Sequence, residues 1–245
     1  MRICLPFIII LYLQLCSSPI VAQQENKGAL LYANELATKE DTAGWRMEGA
    51  GEIEFKNGWM QMHSPNQKGH HVFWCPRDLP ANFIAEWEVQ NLHPEAGLCI
   101  IFFAAKGLDG EDIFSPSLPK RNGVFKQYTN GAINNYHISY YANSPDEPER
   151  ETANLRKNRG FHKVQAGEQG IPAHSTAIHQ LQLIKQEGRI RLLIDGRKVI
   201  DWQDNGFQFG GILQGGKIGF RQMKWTQFAY RKLKIWECLP QKDTR

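Results

Sequence analysis

The feature that most limits how this chain can fold is a run of short alternating segments joined by two-residue turns. From Gln180 to Trp202 it reads QLQLIKQ, Glu187-Gly188, RIRLLI, Asp195-Gly196 and RKVIDW. Apolar and polar residues at period two put one row of side chains on each side of a strand. Asp-Gly between two such segments supplies the positive φ angles of a tight hairpin. The same pattern occurs earlier. GEIEF and WMQMHS flank Lys56-Asn57-Gly58. FIAEWEVQ places Phe83, Ala85, Trp87 and Val89 on one face and Glu86, Glu88 and Gln90 on the other. LCIIFFAA is a continuous apolar run, as expected of a strand covered on both sides. KIGFRQM and FAYRKLKIW complete the set, and only Ala33 to Thr42 reads as a short helix. The expectation is an all-β sandwich, a jelly roll of two antiparallel sheets.

The N-terminus carries a different signal. Arg2, an apolar run from Ile3 to Leu15, and the small residues Ser17, Ser18 and Ala22 have the layout of a secretory signal peptide cleaved after Ala22. The apolar run is too short for a transmembrane span. The expected organisation is a signal peptide over residues 1–22 and one domain over residues 23–245, secreted or periplasmic. Lipid attachment at Cys16 is the weaker alternative, because bulky Leu15 stands where such signals carry a small residue. A formal charge of +4 without a polybasic tract argues against a nucleic-acid partner. Of five cysteines, Cys75, Cys99 and Cys238 lie beyond the signal segment. They are odd in number and widely spaced, neither a disulfide framework nor a zinc motif. Cys99, inside the apolar run, reads as a buried small hydrophobe. A disulfide using Cys238 stays open.

The richest chemistry lies in YTNGAINNYHISYYANSPDEPERETANLRKNRGFH, residues 128–162. Period two separates Tyr136, Ile138 and Tyr140 from Asn135, His137, Ser139 and Tyr141. Ile138 assigns the first set to a core. In ETANLRKN, Ala153 and Leu155 point inward, and Asn154, Arg156 and Asn158 outward. A solvated sheet face is the plain alternative, but two polar rows of this composition favour a ligand site. Arg150, Arg156, Lys157 and Arg159 form a cationic cluster suited to acidic sugars such as uronates. Lyase chemistry on a uronate needs a group that neutralises the carboxylate, a base for the C5 proton and an acid for the departing oxygen. The candidates are His137 and Tyr141 as acid and base, with Arg156 as the carboxylate clamp. Asn135, Ser139, Asn154, Asn158, Arg221, Tyr128 and Trp74 are candidate substrate contacts.

Hydrolysis needs a carboxylate pair instead. Glu111 and Asp112, in the loop GLDGEDIFSPSLPKR, are the alternative acid/base residues. That loop is also the place for a structural calcium, although its spacing is not that of an EF-hand. No cofactor is otherwise required and no catalytic metal is expected. The chain has no nucleophile elbow, phosphate loop, His-Glu-x-x-His or Cys-x-x-Cys. His70-His71 lacks a third ligand at useful spacing.

Longer strings carry a family resemblance. WRMEG at 45–49, VFWCP at 72–76, GLC at 97–99, FFAA at 102–105, GED at 110–112, NLRKNRGFH at 154–162 and GKIGFRQM at 216–223 resemble the YesU-like family of bacterial proteins. The strand–Asp-Gly–strand pattern is similar to that of concanavalin A-like lectin/glucanase sandwiches. The resemblance implies two curved antiparallel sheets, the concave one forming a carbohydrate groove. It also implies association with saccharolytic gene sets, notably for pectic rhamnogalacturonan. The family has no settled reaction, and the secretion signal departs from its cytoplasmic member. The combined expectation is a secreted, carbohydrate-active protein that degrades acidic poly- or oligosaccharide by lyase-type chemistry. The alternatives are a non-catalytic carbohydrate-binding protein or a glycoside hydrolase using the loop carboxylates. Exported with its own leader, the mature chain is expected to begin at Gln23, which an intact-mass measurement checks.

Overall fold

The computed structural model describes residues 26–66, 69–143, 152–223 and 225–240. The proposed signal segment, with Cys4 and Cys16, and Arg150 of the cationic cluster lie outside the described residues. The strands run in order β1 (Lys27–Asn34), β2 (Arg46–Gly49), β3 (Glu52–Lys56), β4 (Trp59–His63), β5 (His71–Trp74), β6 (Phe83–Asn91), β7 (Gly97–Gly107), β8 (Ile133–Asn143), β9 (Thr152–Asn158), β10 (His162–Gln169), β11 (Ile178–Gln186), β12 (Arg189–Ile194), β13 (Arg197–Gln203), β14 (Lys217–Met223) and β15 (Gln227–Cys238).

They form two antiparallel sheets. One has the order β13-β12-β11-β6-β15-β4-β3, with β1 also paired to β15. The other has the order β10-β9-β8-β7-β14-β5-β2. The hairpin turns fall where the sequence places them, with positive φ at Asn57 and Gly58, at Glu187, and at Asp195 and Gly196. β15 serves two neighbours along one edge because it bends. Its register against β6 shifts between Arg231 and Lys234, and Lys232 there takes a φ of 55°. Residues before the bulge pair with β4, and residues after it pair with β1.

The helix expected over Ala33 to Thr42 is a correction. Ala33 and Asn34 end β1, and only Glu40–Thr42 winds into one 3-10 turn. The cause is local capture of backbone amides. Asn34 Oδ1 accepts the Leu36 amide at 2.8 Å, and Asp41 Oδ2 accepts those of Ala37 and Thr38 at 2.8 and 3.0 Å. Such side-chain bonds compete with a helix. A single helical turn the sequence did not announce, α1 (Lys126–Thr129), lies in the connection before β8.

The main core fills the space between the sheets. From β6 it takes Phe83, Ala85, Trp87 and Val89, the row that alternation assigned. Cys75, Cys99 and Cys238 are buried and form no disulfide among the described residues. Burial pushes the Cys75 thiol up to about 11, so it is neutral and unreactive near pH 7.

One charged pair lies deep inside. Lys157 alternates inward from Arg156 and Asn158. Its ammonium donates to Asp204 Oδ2 at 2.6 Å and to the carbonyls of Gly210 and Gly211 at 2.6 and 2.9 Å. The side chains are 2% and 3% exposed. Tyr136 also donates to Asp204 Oδ2, and its own oxygen accepts the Leu213 amide at 3.2 Å. The pair thereby fastens the segment between β13 and β14 to β9. Removing one partner strands the other in low dielectric. Asp204→Asn is expected to cost about 3 kcal/mol of unfolding free energy, with Lys157→Met/Asp204→Asn costing less than the sum of the single changes. Urea titrations of the three variants check this.

Candidate functional site

The two polar rows do meet. β8 and β9 are neighbours, with Asn135 opposite Asn158, His137 opposite Arg156 and Ser139 opposite Asn154. Directly opposed residues on one face stand within side-chain reach. Tyr136, Ile138, Ala153 and Leu155 lie in the main core, so these six polar residues share the outer face of the seven-stranded sheet. On that face a second apolar cluster holds Ile100 and Phe102 of β7, Val72 and Trp74 of β5, and Tyr128.

Tyr141 does not belong to the row, which corrects its assignment as the partner of His137. Cys99 pairs with Tyr141 while Ile100 pairs with Ser139, so β8 carries one extra residue at Tyr140. A bulge of one residue inverts the alternation beyond it. Tyr140 and Tyr141 both enter the main core. The Tyr141 hydroxyl accepts Asn91 Nδ2 at 2.9 Å, and its ring packs on Phe228 with centroids 5.0 Å apart. Burial raises its pKa above the ordinary tyrosine value, which disfavours a role as base.

Part of the outer face is covered by the chain itself, through Glu48 on β2. Its carboxylate accepts Arg121 Nε at 3.1 Å, Arg121 Nη2 at 2.7 Å, Trp74 Nε1 at 3.0 Å and the Tyr128 hydroxyl at 2.9 Å. Arg121 Nη2 also donates to the Ile113 carbonyl at 2.8 Å. These bonds hold residues 113–128 against the sheet. Trp74 and Tyr128 are fully buried, so neither stacks on a ligand in this arrangement, contrary to the sequence expectation. Burial, with the Glu48 charge beside it, pushes the Tyr128 pKa above the tyrosine range.

Arg221 is also fully buried. Its guanidinium lies 4.7 Å from the Phe125 ring and 5.3 Å from the Tyr128 ring, and Nη1 donates to the Gly123 carbonyl at 3.0 Å. Nε and Nη2 have no partner among the described residues. Burial lowers its pKa to about 10, so it remains a cation at neutral pH.

His137 is 2% exposed. Its ring contacts Phe102, Phe125 and Phe161, with centroids 5.2, 5.7 and 5.9 Å away. Asn158 Nδ2 lies 2.8 Å from Nδ1, which makes Nδ1 the acceptor and puts the proton of the neutral ring on Nε2. Asn158 Nδ2 also meets Asn135 Oδ1 at 2.7 Å, and Asn135 Nδ2 donates to the Tyr128 carbonyl at 2.8 Å. Ser139 and Asn154 are nearly buried, and Asn154 Nδ2 donates to the Thr152 carbonyl at 3.0 Å.

Arg156 differs from the others, being half-buried. Its guanidinium sits 3.9 Å from the centre of the Phe161 ring, and Nη1 donates to the Phe161 carbonyl at 3.1 Å. Phe161 is 37% exposed. Sequence reasoning missed Phe161 and Phe125. Phe161 stood inside the family string NLRKNRGFH, whereas nothing in the loop sequence marked Phe125.

The loop carboxylates are engaged. Glu111 Oε2 accepts the Asp109 amide at 3.0 Å. Asp112 Oδ2 meets the Lys217 ammonium at 2.9 Å, and Oδ1 accepts the Phe114 amide at 2.8 Å. Burial works against the Asp112 charge, but the Phe114 amide and Lys217 outweigh it and lower the pKa. An ammonium on the carboxylate does not fit a calcium ligand. Among the described residues no three His, Cys, Asp or Glu side chains are grouped to hold a metal. None of the described helices is long and apolar enough to cross a membrane.

Comparison with known proteins gives the context for this geometry. The model of a family described as a domain of unknown function, DUF1961, matches residues 29–235. The uncharacterized protein YesU of Bacillus subtilis (strain 168) is 39% identical over 216 residues, covering 87% of this chain and 98% of YesU. A solved Bacillus subtilis protein of unknown function with a galectin-like fold superposes with a TM-score of 0.85 at 38% identity, covering 89% of this chain and 100% of its own. The exoplasmic/lumenal domain of VIP36, solved with Ca2+ and Man3GlcNAc bound, has a TM-score of 0.61 at 10% identity, covering 89% and 93%. That likeness is one of fold.

The Glu48 cluster generates a prediction. Glu48→Ala leaves Arg121, Trp74 and Tyr128 without their acceptor, and is expected to destabilise the fold by about 3–5 kcal/mol. Amide exchange over residues 113–128 is expected to rise well above that of β7 and β8, which hydrogen-exchange mass spectrometry resolves.

Proposed function

This chain belongs to the DUF1961 family, whose activity is undefined, and from its geometry we propose that it is an exported carbohydrate-binding protein that favours acidic sugars. The observation that carries the reading is the Arg156–Phe161 corner. A half-buried guanidinium sits 3.9 Å from the centre of a partly exposed aromatic ring, beside the covered part of the sheet face. A planar guanidinium suits a carboxylate in bidentate geometry, and an aromatic face suits the apolar face of a sugar ring. The sandwich shared with the glycan-bound VIP36 domain supports a sugar ligand at the level of fold. The association of the family it resembles with pectic saccharolytic gene sets makes oligogalacturonate and rhamnogalacturonan fragments the first ligands to try.

Binding without turnover is favoured over the two enzymatic readings. A lyase needs a second acid/base group beside His137, and Tyr141 lies across the sheet from it. His137 itself is packed beneath Phe125 and Phe161. A hydrolase needs two available carboxylates, and Glu111 and Asp112 hold backbone amides and Lys217.

Calorimetric titration with oligogalacturonate is expected to show binding that Arg156→Ala weakens about tenfold or more, equivalent to ~1.4 kcal/mol. Absorbance of unsaturated uronate product is expected to stay flat. Equal affinity for a neutral oligosaccharide, or an unchanged affinity in Arg156→Ala, overturns the acidic-sugar reading. An ultraviolet product that disappears in His137→Ala replaces the binder with a lyase.

A further inference from the structure

A second constellation lies on the other sheet. Ser175 Oγ is 2.7 Å from His179 Nε2, and His179 Nδ1 is 2.6 Å from Asp195 Oδ2. The order of atoms, hydroxyl to Nε2 and Nδ1 to carboxylate, is that of a nucleophile, a general base and the group that orients the base. We propose that Ser175, His179 and Asp195 form an esterase site that cleaves short-chain O-acyl esters.

Each member is placed by the fold. His179 precedes Leu181 and Leu183 on the inward row of β11, at the end of the eight-stranded sheet, and is 8% exposed. An imidazole there needs partners for both nitrogens, and it has one on each side. Asp195 occupies the β12–β13 turn with a φ of 52°. Its second oxygen accepts the Gln180 amide at 2.8 Å, and its own amide donates to the Gln180 carbonyl at 2.8 Å. The carboxylate is therefore held from two directions, and its orientation fixes the Nε2 lone pair toward Ser175. His174, with a φ of 64°, turns the chain just before Ser175. Ser175 is half-buried, so its hydroxyl is within reach of a ligand.

The reaction also needs donors for a developing oxyanion. The amides of Thr176 and Ala177 follow the serine and have no hydrogen-bond partner among the described residues. The residue after the nucleophile is a common source of one such donor. Ala173, Thr176 and Ala177 present small side chains on either side of Ser175. Such small neighbours suit an acetyl group better than a long acyl chain.

The chemistry balances without a cofactor. Ser175 Oγ bonds to the acyl carbon, and its proton passes to His179 Nε2. The bond from that carbon to the alcohol oxygen breaks, and the alcohol leaves with the proton. Water then attacks the acyl-serine and gives a proton to Nε2, which returns it to Ser175 Oγ as the carboxylic acid departs. Ser175 and His179 touch the reacting atoms, whereas Asp195 is a positioning residue. The set lies on neither strand that carries Arg156 or His137, so it stands independently of the sugar-binding reading.

Incubating the protein, exported with its own leader, with a fluorophosphonate probe and mapping its peptides tests the proposal directly. Label on Ser175, together with p-nitrophenyl acetate hydrolysis that Ser175→Ala returns to the buffer rate, supports it. Asp195→Asn is then expected to lower kcat at least tenfold with KM little changed. A purely structural role would instead lower the melting temperature without that split. Absence of label on Ser175, or wild-type ester hydrolysis in Ser175→Ala, overturns the proposal and leaves the three side chains as a clamp on the Asp195-Gly196 turn.

Discussion

The Glu48 carboxylate accepts four hydrogen bonds from three side chains that lie far apart in sequence. It sits on β2, the edge of the seven-stranded sheet, and ties that edge to β5 through Trp74 and to the long connection before β8 through Arg121 and Tyr128. An ion pair with side chains only 6% and 11% exposed is costly to desolvate, and survives because both carboxylate oxygens accept hydrogen bonds, Oε1 from Arg121 and Oε2 from Arg121, Trp74 and Tyr128. Its consequence is architectural. It turns what would be an open sheet face into a second apolar layer, with Ile113 and Tyr128 packed over Ile100, Phe102 and Trp74.

That covering decides what the polar rows of β8 and β9 are. Asn135, His137 and Asn158 form a hydrogen-bonded chain beneath Phe125 and Phe161, and Arg221 is enclosed between Phe125 and Tyr128. Within the two adjacent polar rows, Asn135, His137 and Asn158 bond to one another, and Arg156 sits half-buried against Phe161. The other chemistry-bearing cluster lies on the opposite sheet, where a turn carboxylate, a sheet-end imidazole and a loop hydroxyl meet.

Much of the fold was legible in the chain. Alternation assigned Phe83, Ala85, Trp87 and Val89 to the core, and Asn57-Gly58 and Asp195-Gly196 marked their turns. The continuous apolar run of β7 foretold a strand covered on both faces, and it is, by the core on one side and the second layer on the other. Period two placed His137 and Arg156 on their polar rows, but the register that sets them opposite each other is a property of the fold. What failed did so for identifiable reasons. Tyr141 was misassigned because one bulge residue at Tyr140 shifts the alternation, and a bulge has no sequence signature in NNYHISYY. Lys157 looked like part of a surface cluster, but strand geometry turns it inward onto Asp204. Ser175, His179 and Asp195 were not recognised together because no local motif joins them.

By itself the sequence determined the class of fold, its hairpins, its inward rows and its family. These depend on period and turn chemistry, which are properties of a few adjacent residues. The tertiary structure alone decided which polar residues are covered, which cations are accessible and which hydroxyl faces which imidazole. Those outcomes depend on contacts between residues tens of positions apart, such as Glu48 with Tyr128 and His179 with Asp195. Only closure of the sandwich and its loops brings such groups within hydrogen-bonding distance.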